Sequence, residues 1–362
     1  MDADILIIGG GIAGLSLAWK LAPGAAVVVV ETETELAFHT SSRSARQMQP
    51  NYGPAPIREL TLRTIEMVQD ISATLPAPIL RPRPLLTVGS RTEIAELAAA
   101  YPSLKTLDHA QVQALAPEVD PTVYDAATLD DTAKEVDVPT LVEYYRLEAV
   151  TAGAVVLTGA QVTSATRRGE GFEVTAGEHV INAAVVVDAA GAWADEVGEM
   201  FGARPRGLVP HRRSVAIVQT SVPVNPSGVM VDPADESFYY RPDGANLLIS
   251  PCESVPAPAS NAQVSDADIA ALIARLNDLT GWGITTVVRS WTGLRTSPDD
   301  GLPVVGFDDD VRGFFWLAGQ GGYGIQTSAA LATLAADIIK GTVAATDEQL
   351  CAELGPQRVS LR

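Results

Sequence analysis

Asp4-Ile5-Leu6-Ile7-Ile8-Gly9-Gly10-Gly11-Ile12-Ala13-Gly14 opens the chain with an apolar run, a glycine turn and the start of a helical pattern. Asp4–Ile8 reads as a buried strand, Ile12 to Leu21 carries the helix period, and Val27–Val30 reads as a second buried strand ending at Glu31. Together they predict a βαβ unit. Gly9, Gly11 and Gly14 satisfy GxGxxG in that context. The first permits the tight turn, the second lets a pyrophosphate approach the backbone, and the third lets helix and strand pack closely. The helix opening at Ile12 and Ala13 would turn free N–H groups and about half a positive charge toward the phosphates. Glu31, with Thr32 beside it, is placed to accept hydrogen bonds from a ribose diol. The motif implies a dinucleotide and does not distinguish FAD from NAD.

Composition narrows the rest. At 362 residues, two intertwined or sequential domains are expected. Hydrophobic residues at 47% and charged residues at 19% give ample surface for cores. A formal charge of −19 argues against a nucleic-acid partner, since nothing basic faces phosphates. Cys252 and Cys351 lie far apart with no CxxC partner, so neither a zinc site nor a disulfide framework is expected, and no metal. Asp2 and Asp4 stand where a signal peptide would be basic, and no apolar run approaches the ~20 residues of a spanning helix. A cytoplasmic protein without a membrane span is the expectation.

The fold class expected is α/β: a Rossmann-like FAD-binding domain built from discontinuous segments, plus a substrate domain with a mixed, mainly antiparallel sheet flanked by helices. Residues 1–75, 140–210 and 288–345 are assigned to the first, 76–139 and 211–287 to the second, and 346–362 to a C-terminal tail. Arg212–Gln219, Ser237–Arg241 and Asn246–Ser250 alternate like antiparallel strands, and Asp266–Leu279 is an amphipathic helix capped by Ser265 or Asp266. Val162–Thr166 and Phe172–Thr175 flank a hairpin turn. A strand at Phe314–Ala318 is followed by a glycine cluster and a helix from about Ile325 to Ile339.

After Glu31 a nicotinamide dehydrogenase would continue with βα units. This chain runs instead into Phe38-His39-Thr40-Ser41-Ser42-Arg43-Ser44-Ala45, then returns late with Gly319-Gln320-Gly321-Gly322-Tyr323-Gly324-Ile325. A helix opened by that cluster would aim a second dipole at the N1–C2=O edge of a flavin. A plain turn is the alternative.

These and other stretches resemble the D-amino-acid oxidase superfamily of FAD-dependent amine and amino-acid oxidoreductases, and within it bacterial D-arginine dehydrogenases. The likeness rests on His39-Thr-Ser-Ser-Arg-Ser-Ala45, Pro82-Arg-Pro84, Ala189-Ala-Gly-Ala-Trp193, Arg212-Arg-Ser214, Asp235-Glu-Ser-Phe-Tyr239, Trp291-Thr-Gly-Leu-Arg295, Gly313-Phe-Phe-Trp316 and Gln320–Ala330. It implies non-covalent FAD, because Ala318, Gly319 and Gln320 stand where covalent relatives carry a cysteine. It implies flavin contacts from Thr40, Ser41, Arg43, Ser44, Ala45, Arg46 and Gln47, and from Val162 at the adenine. Gly191 and Trp193 are further candidates, and Gly321, Gly322, Tyr323, Gly324, Ile325 and Gln326 would line the pyrimidine end.

On the substrate side, the resemblance implies a carboxylate clamp of Arg213 and Arg295, hydroxyls from Tyr52 and Tyr239, and the Gly322 carbonyl for the amine. Leu85 replaces the acid that reads a basic side chain, and Gln47 replaces an active-site histidine. The implied activity is oxidative deamination of a D-amino acid with a neutral or apolar side chain, by hydride transfer to flavin N5, with oxygen or a quinone-like acceptor taking the electrons. Glu59 or Glu236 could supply the missing acid. A secondary-amine, glycine or sarcosine-type oxidase is the alternative within the superfamily. A non-catalytic FAD-binding subunit is the alternative of another functional class.

Overall fold

The computed structural model describes residues 1–120 and 122–361; Pro121, in the expected segment 76–139, and Arg362, at the end of the expected tail, lie outside them. Among the described residues three sheets organise the chain, of eight, nine and three strands. The first grows from the opening βαβ unit. Asp2–Ile8 pairs in parallel with Val27–Val30 on one side and with His179–Asp188 on the other. Val155–Leu157 joins beyond Val27–Val30, and Phe314–Ala318 joins beyond His179–Asp188, both parallel. Three segments far apart in sequence therefore meet in one α/β sheet.

Strand periodicity explains how that sheet holds two layers together. Ile5 and Ile7 pack into one buried cluster with Leu17, Leu21 and Leu334, while Leu6 and Ile8 pack into another with Val28, Phe314 and Trp316. Side chains alternate across a strand, so a wholly apolar run serves a sheet covered on both faces. Ile12–Leu21 is a helix with the bounds its periodicity predicts.

The second sheet is mixed and mainly antiparallel. Its longest ladder joins Val209–Thr220 to Ile284–Ser297, in register from Val209↔Ser297 to Ile217↔Arg289 and then shifted by bulges before Val218 and Thr220. The domain boundary expected at residue 288 falls inside this strand. Thr285–Arg289 are all exposed, so the apolar alternation that marks a strand is missing there. Leu85–Gly89 pairs in parallel with Met230–Pro233, which brings the 76–139 segment into the same sheet. Helix Asp266–Leu279 buries Ile269, Leu272 and Leu276 against it, and Ser265 caps it by accepting from the Asp268 N–H.

The small third sheet joins Gln47–Met48, Lys134–Val136 and Leu80–Pro82. It carries a buried charge cluster. Glu135 accepts from Arg83 at 2.6 Å and from Arg241 at 3.1 Å, and the Arg241 side chain is 0% exposed. Arg241 also donates to the Ala45 carbonyl at 3.0 Å, which ties the hydroxyl-rich segment to the second sheet. Burial alone would raise the Glu135 pKa, but the hydrogen bond from Arg83 and the charge of Arg241 hold it below the usual glutamate value. Its stabilising contribution is therefore complete above about pH 4.3, the unfolded value, and is lost as pH falls below that through the lower folded value.

Glu135→Gln leaves two guanidinium groups without their carboxylate, and a loss of about 3–5 kcal/mol is expected in urea unfolding at pH 7. A midpoint unchanged from the parent protein would refute this.

Candidate flavin and substrate site

A cavity of about 450 Å³ runs past the carboxyl ends of the parallel strands and reaches the second sheet. Its nucleotide end is built on bare backbone. A Cβ at Gly14 would lie 2.0 Å from the Gly9 carbonyl oxygen, and one at Gly9, where φ is +113°, would lie 2.4 Å from the Ala189 carbonyl oxygen. Gly14 therefore does not line the cavity; it seats the helix against the turn. Gly9, Gly11, Ile12 and Ala13 form the wall, with Glu31 and Thr32 further along and Val162 with them. Gly11 caps the helix without a side-chain bond. Glu31 accepts from the Gly10 N–H at 2.7 Å and from the Glu33 N–H at 2.9 Å, so it fixes the loop as well as facing the cavity. A carboxylate and a helix N-terminus capped only by glycine on one wall fit a dinucleotide's ribose and pyrophosphate.

Thr40, Ser41, Arg43, Ser44, Ala45 and Gln47 line the middle of the cavity. Their polar groups are largely engaged by backbone. Ser41 Oγ accepts from the Ile12 N–H at 3.0 Å, Thr40 donates to the Leu294 carbonyl at 2.9 Å, and Arg43 donates to the Thr292 carbonyl at 2.8 Å. Gln47 donates to the Arg83 carbonyl at 2.8 Å and keeps its buried Oε1 unpartnered. Arg46 differs from expectation: it pairs with Asp243 and does not line the cavity. Gly191 and Trp193 do line it, as does His39, whose ring tilts over Trp193 at 4.7 Å.

The late glycine cluster is a run of turns, and its helix begins at Ser328, three residues after the expected start. Gly321 takes φ +55°, and the Tyr323 N–H bonds back to the Gln320 carbonyl at 2.8 Å. Gly321, Gly322, Gly324, Ile325 and Gln326 line the cavity; Tyr323 does not, and packs on Tyr52 at 5.2 Å between ring centroids. The closest approach is at Gly322, where a Cβ would meet the Arg295 guanidinium carbon at 2.8 Å.

Arg295 and Arg213 come from partner strands of the long ladder, where His211 is opposite Arg295 and Arg213 opposite Gly293. Both line the cavity with Tyr52 and Tyr239. Burial works against the charge on Arg295, yet Tyr52 and Tyr239 hold its pKa above the ordinary arginine value. The Arg213 Nε and the Tyr239 hydroxyl are buried without hydrogen-bond partners. Two cations and a free hydroxyl facing one cavity can hold a carboxylate.

Leu85 falls outside the cavity wall. It packs on the cluster of Met230, Tyr239 and Leu248, and Met230, its register partner, lines the cavity in its place. Gln49, Asp232 and Cys252 line the cavity without any motif that marks them in the sequence, and Glu236, a candidate only for a missing acid, lines it too. Backbone conformation marks this site. The non-glycine residues with positive φ among the described residues are Ala37, Arg46, Glu236 and Cys252, and all but Arg46 line the cavity. Such conformations persist where surrounding structure over-determines them, as at binding sites.

The sequence profile of the FAD dependent oxidoreductases matches residues 4–338. The chain belongs to this FAD-dependent oxidoreductase family. FAD is thus the dinucleotide that the glycine loop, Glu31 and Val162 would hold. Glycine oxidase of Geobacillus kaustophilus is 24% identical over 371 residues, covering 95% of this chain and 94% of that protein. Human mitochondrial dimethylglycine dehydrogenase is 24% identical over 356 residues, covering 89% of this chain and 41% of the other. The crystal structure of the Geobacillus glycine oxidase superposes with a TM-score of 0.84 at 23% identity, covering 99% of each chain. That of L-proline dehydrogenase from P. horikoshii gives 0.82 at 18% identity over 98% of this chain and 97% of the other. The superpositions establish the α/β fold with its flavin domain and mixed sheet. The likeness shown is to the family, and not to D-arginine dehydrogenases in particular. Among the described residues no single helix is long and apolar enough to cross a membrane.

Gly14→Ala pushes the helix off the turn and is expected to purify with little flavin, read as the ratio of absorbance at 450 to 280 nm. Gly322→Ala meets only a side chain and is expected to keep its flavin. Equal flavin contents in the two variants would contradict this placement.

Proposed function

We propose that this flavoprotein oxidises the amine of an amino acid, as its glycine-oxidase relatives are named for doing. The observation that carries this is the pair Arg213 and Arg295, two guanidinium groups in the cavity wall that make no ion pair among the described residues. Leaving such cations unpaired is costly, and a substrate carboxylate would relieve that cost.

In this reading Arg295 and Arg213 hold the α-carboxylate and the Tyr239 hydroxyl donates to it. The Gly322 carbonyl accepts from the amine, which orients the Cα–H bond and holds the nitrogen lone pair free. Tyr52 and Tyr323 shield that end from water. Bound FAD supplies a two-electron acceptor for the Cα hydride. The substrate loses that hydride and an N–H proton to become an imine, and water converts the imine to a 2-oxo acid and ammonia. Reoxidation falls to oxygen or a quinone-like acceptor. An amino acid with a longer side chain, of the D series by family resemblance, is the second reading, since Met230 and Asp232 line the same cavity as Arg213.

Anaerobic mixing with glycine, sarcosine and a panel of D- and L-amino acids is expected to bleach the flavin with at least one of them. Arg295→Met is expected to lower kcat/KM by about 10–100-fold, the worth of a charged hydrogen-bonding partner. No bleaching with any amine, or an unaffected Arg295→Met, would overturn the proposal. The flavin is held without a covalent bond in this reading, so acid precipitation is expected to leave it in the supernatant. A yellow pellet would instead implicate Cys252, the thiol in the cavity wall.

A further inference from the structure

Past the arginine pair the cavity changes sign. Met230–Pro233 turns Val231 into the core of the second sheet, while Met230 and Asp232 face the cavity. Asp232 has a buried Oδ1 with no hydrogen-bond partner. Glu236, held at φ +52° in the turn that follows, is exposed and lines the same wall. The groups acting most strongly on Asp232 are Thr87, its register partner on Leu85–Gly89, and the acids Glu236 and Asp235. No cation is among them. Cys252 lines the same wall, and the charges acting on its thiol are Arg213 and Arg295 in one direction and, more weakly, Asp232 in the other. A carboxylate seated on the arginines would thus have an uncompensated acid facing it from further along the cavity.

We propose that Asp232, assisted by Glu236, is a specificity-determining residue that receives a cationic nitrogen several bonds from the substrate carboxylate. The favoured substrate class is then an amino acid carrying an ammonium or guanidinium group. This rests on the reading that Arg213 and Arg295 hold the carboxylate. It reverses the apolar preference expected from Leu85, because Leu85 is not in the wall and Asp232 is. Burial first, and the Glu236 charge second, push the Asp232 pKa up to about 7. Asp232 is therefore charged above that pH and neutral below it, so its preference for a cation should grow as pH rises through about 7.

The test compares 5-aminopentanoate with pentanoate on the holoenzyme, by perturbation of the flavin absorbance. Neither ligand has an α-amine to oxidise, so binding is read apart from turnover. At pH 8 the amino acid is expected to bind at least 10-fold more tightly, and at pH 6 the advantage is expected to shrink. Asp232→Asn is expected to abolish the advantage while pentanoate still binds, which shows the cavity intact. Glu236→Gln is expected to reduce it. Equal affinities in the parent protein, or an advantage that survives Asp232→Asn, would overturn this inference and leave the arginine clamp standing. If neither acid binds, the clamp and this inference fall together. In turnover, D-lysine is expected to exceed D-norleucine at least 10-fold in kcat/KM, and parity would also count against Asp232.

Discussion

Two backbones in contact, without side chains between them, set the position of nearly everything else. The helix Ile12–Leu21 rests on the turn through Gly14, and the turn rests on Ala189 through Gly9. That contact fixes where the helix N-terminus points, and Glu31 and Ser41 then bond to the loop and to Ile12 from either side. Ser41 belongs to the segment that continues through Thr40 and Arg43 to the strand bearing Arg295. The distance between the phosphate wall and the guanidinium groups is thus transmitted through short hydrogen bonds, from one glycine contact to the second sheet.

The parts legible in the sequence are those in which one residue type serves one local geometry. The glycine loop, the all-valine strand Val27–Val30 and the helix Asp266–Leu279 announce themselves by spacing and by caps. Arg213 and Arg295 are marked only by family likeness, and the ladder that sets them in adjacent strands is long range and leaves no local trace. Leu85 shows the limit. Facing the right side of a sheet does not settle which strand reaches the cavity, and Met230 one strand over does so. Asp232 carries no sequence mark beyond lying a few residues before Ser237-Phe238-Tyr239. The helix after the late glycine cluster began later than its periodicity suggested, because glycine turns continue to Thr327 before the first regular turn.

Charge is distributed so that the site stays open to a ligand. Arg83 and Arg241 share Glu135 beneath the hydroxyl-rich segment, and Arg46 is drawn off to Asp243. The cations left facing the cavity are therefore not competing with these acids. A scaffold that neutralises its own charges around the site, and leaves them unmatched inside it, reserves electrostatic attraction for the molecule that enters.

The left-handed residues Ala37, Arg46, Glu236 and Cys252 have a bearing on engineering. Each holds a backbone shape that a side chain disfavours by roughly 1–2 kcal/mol, and glycine would relieve it. A search for thermostable variants would be drawn to these positions, and at Glu236 and Cys252 it would trade away groups that face the ligand. The strain most easily relieved in this protein is thus stored in the wall of its cavity.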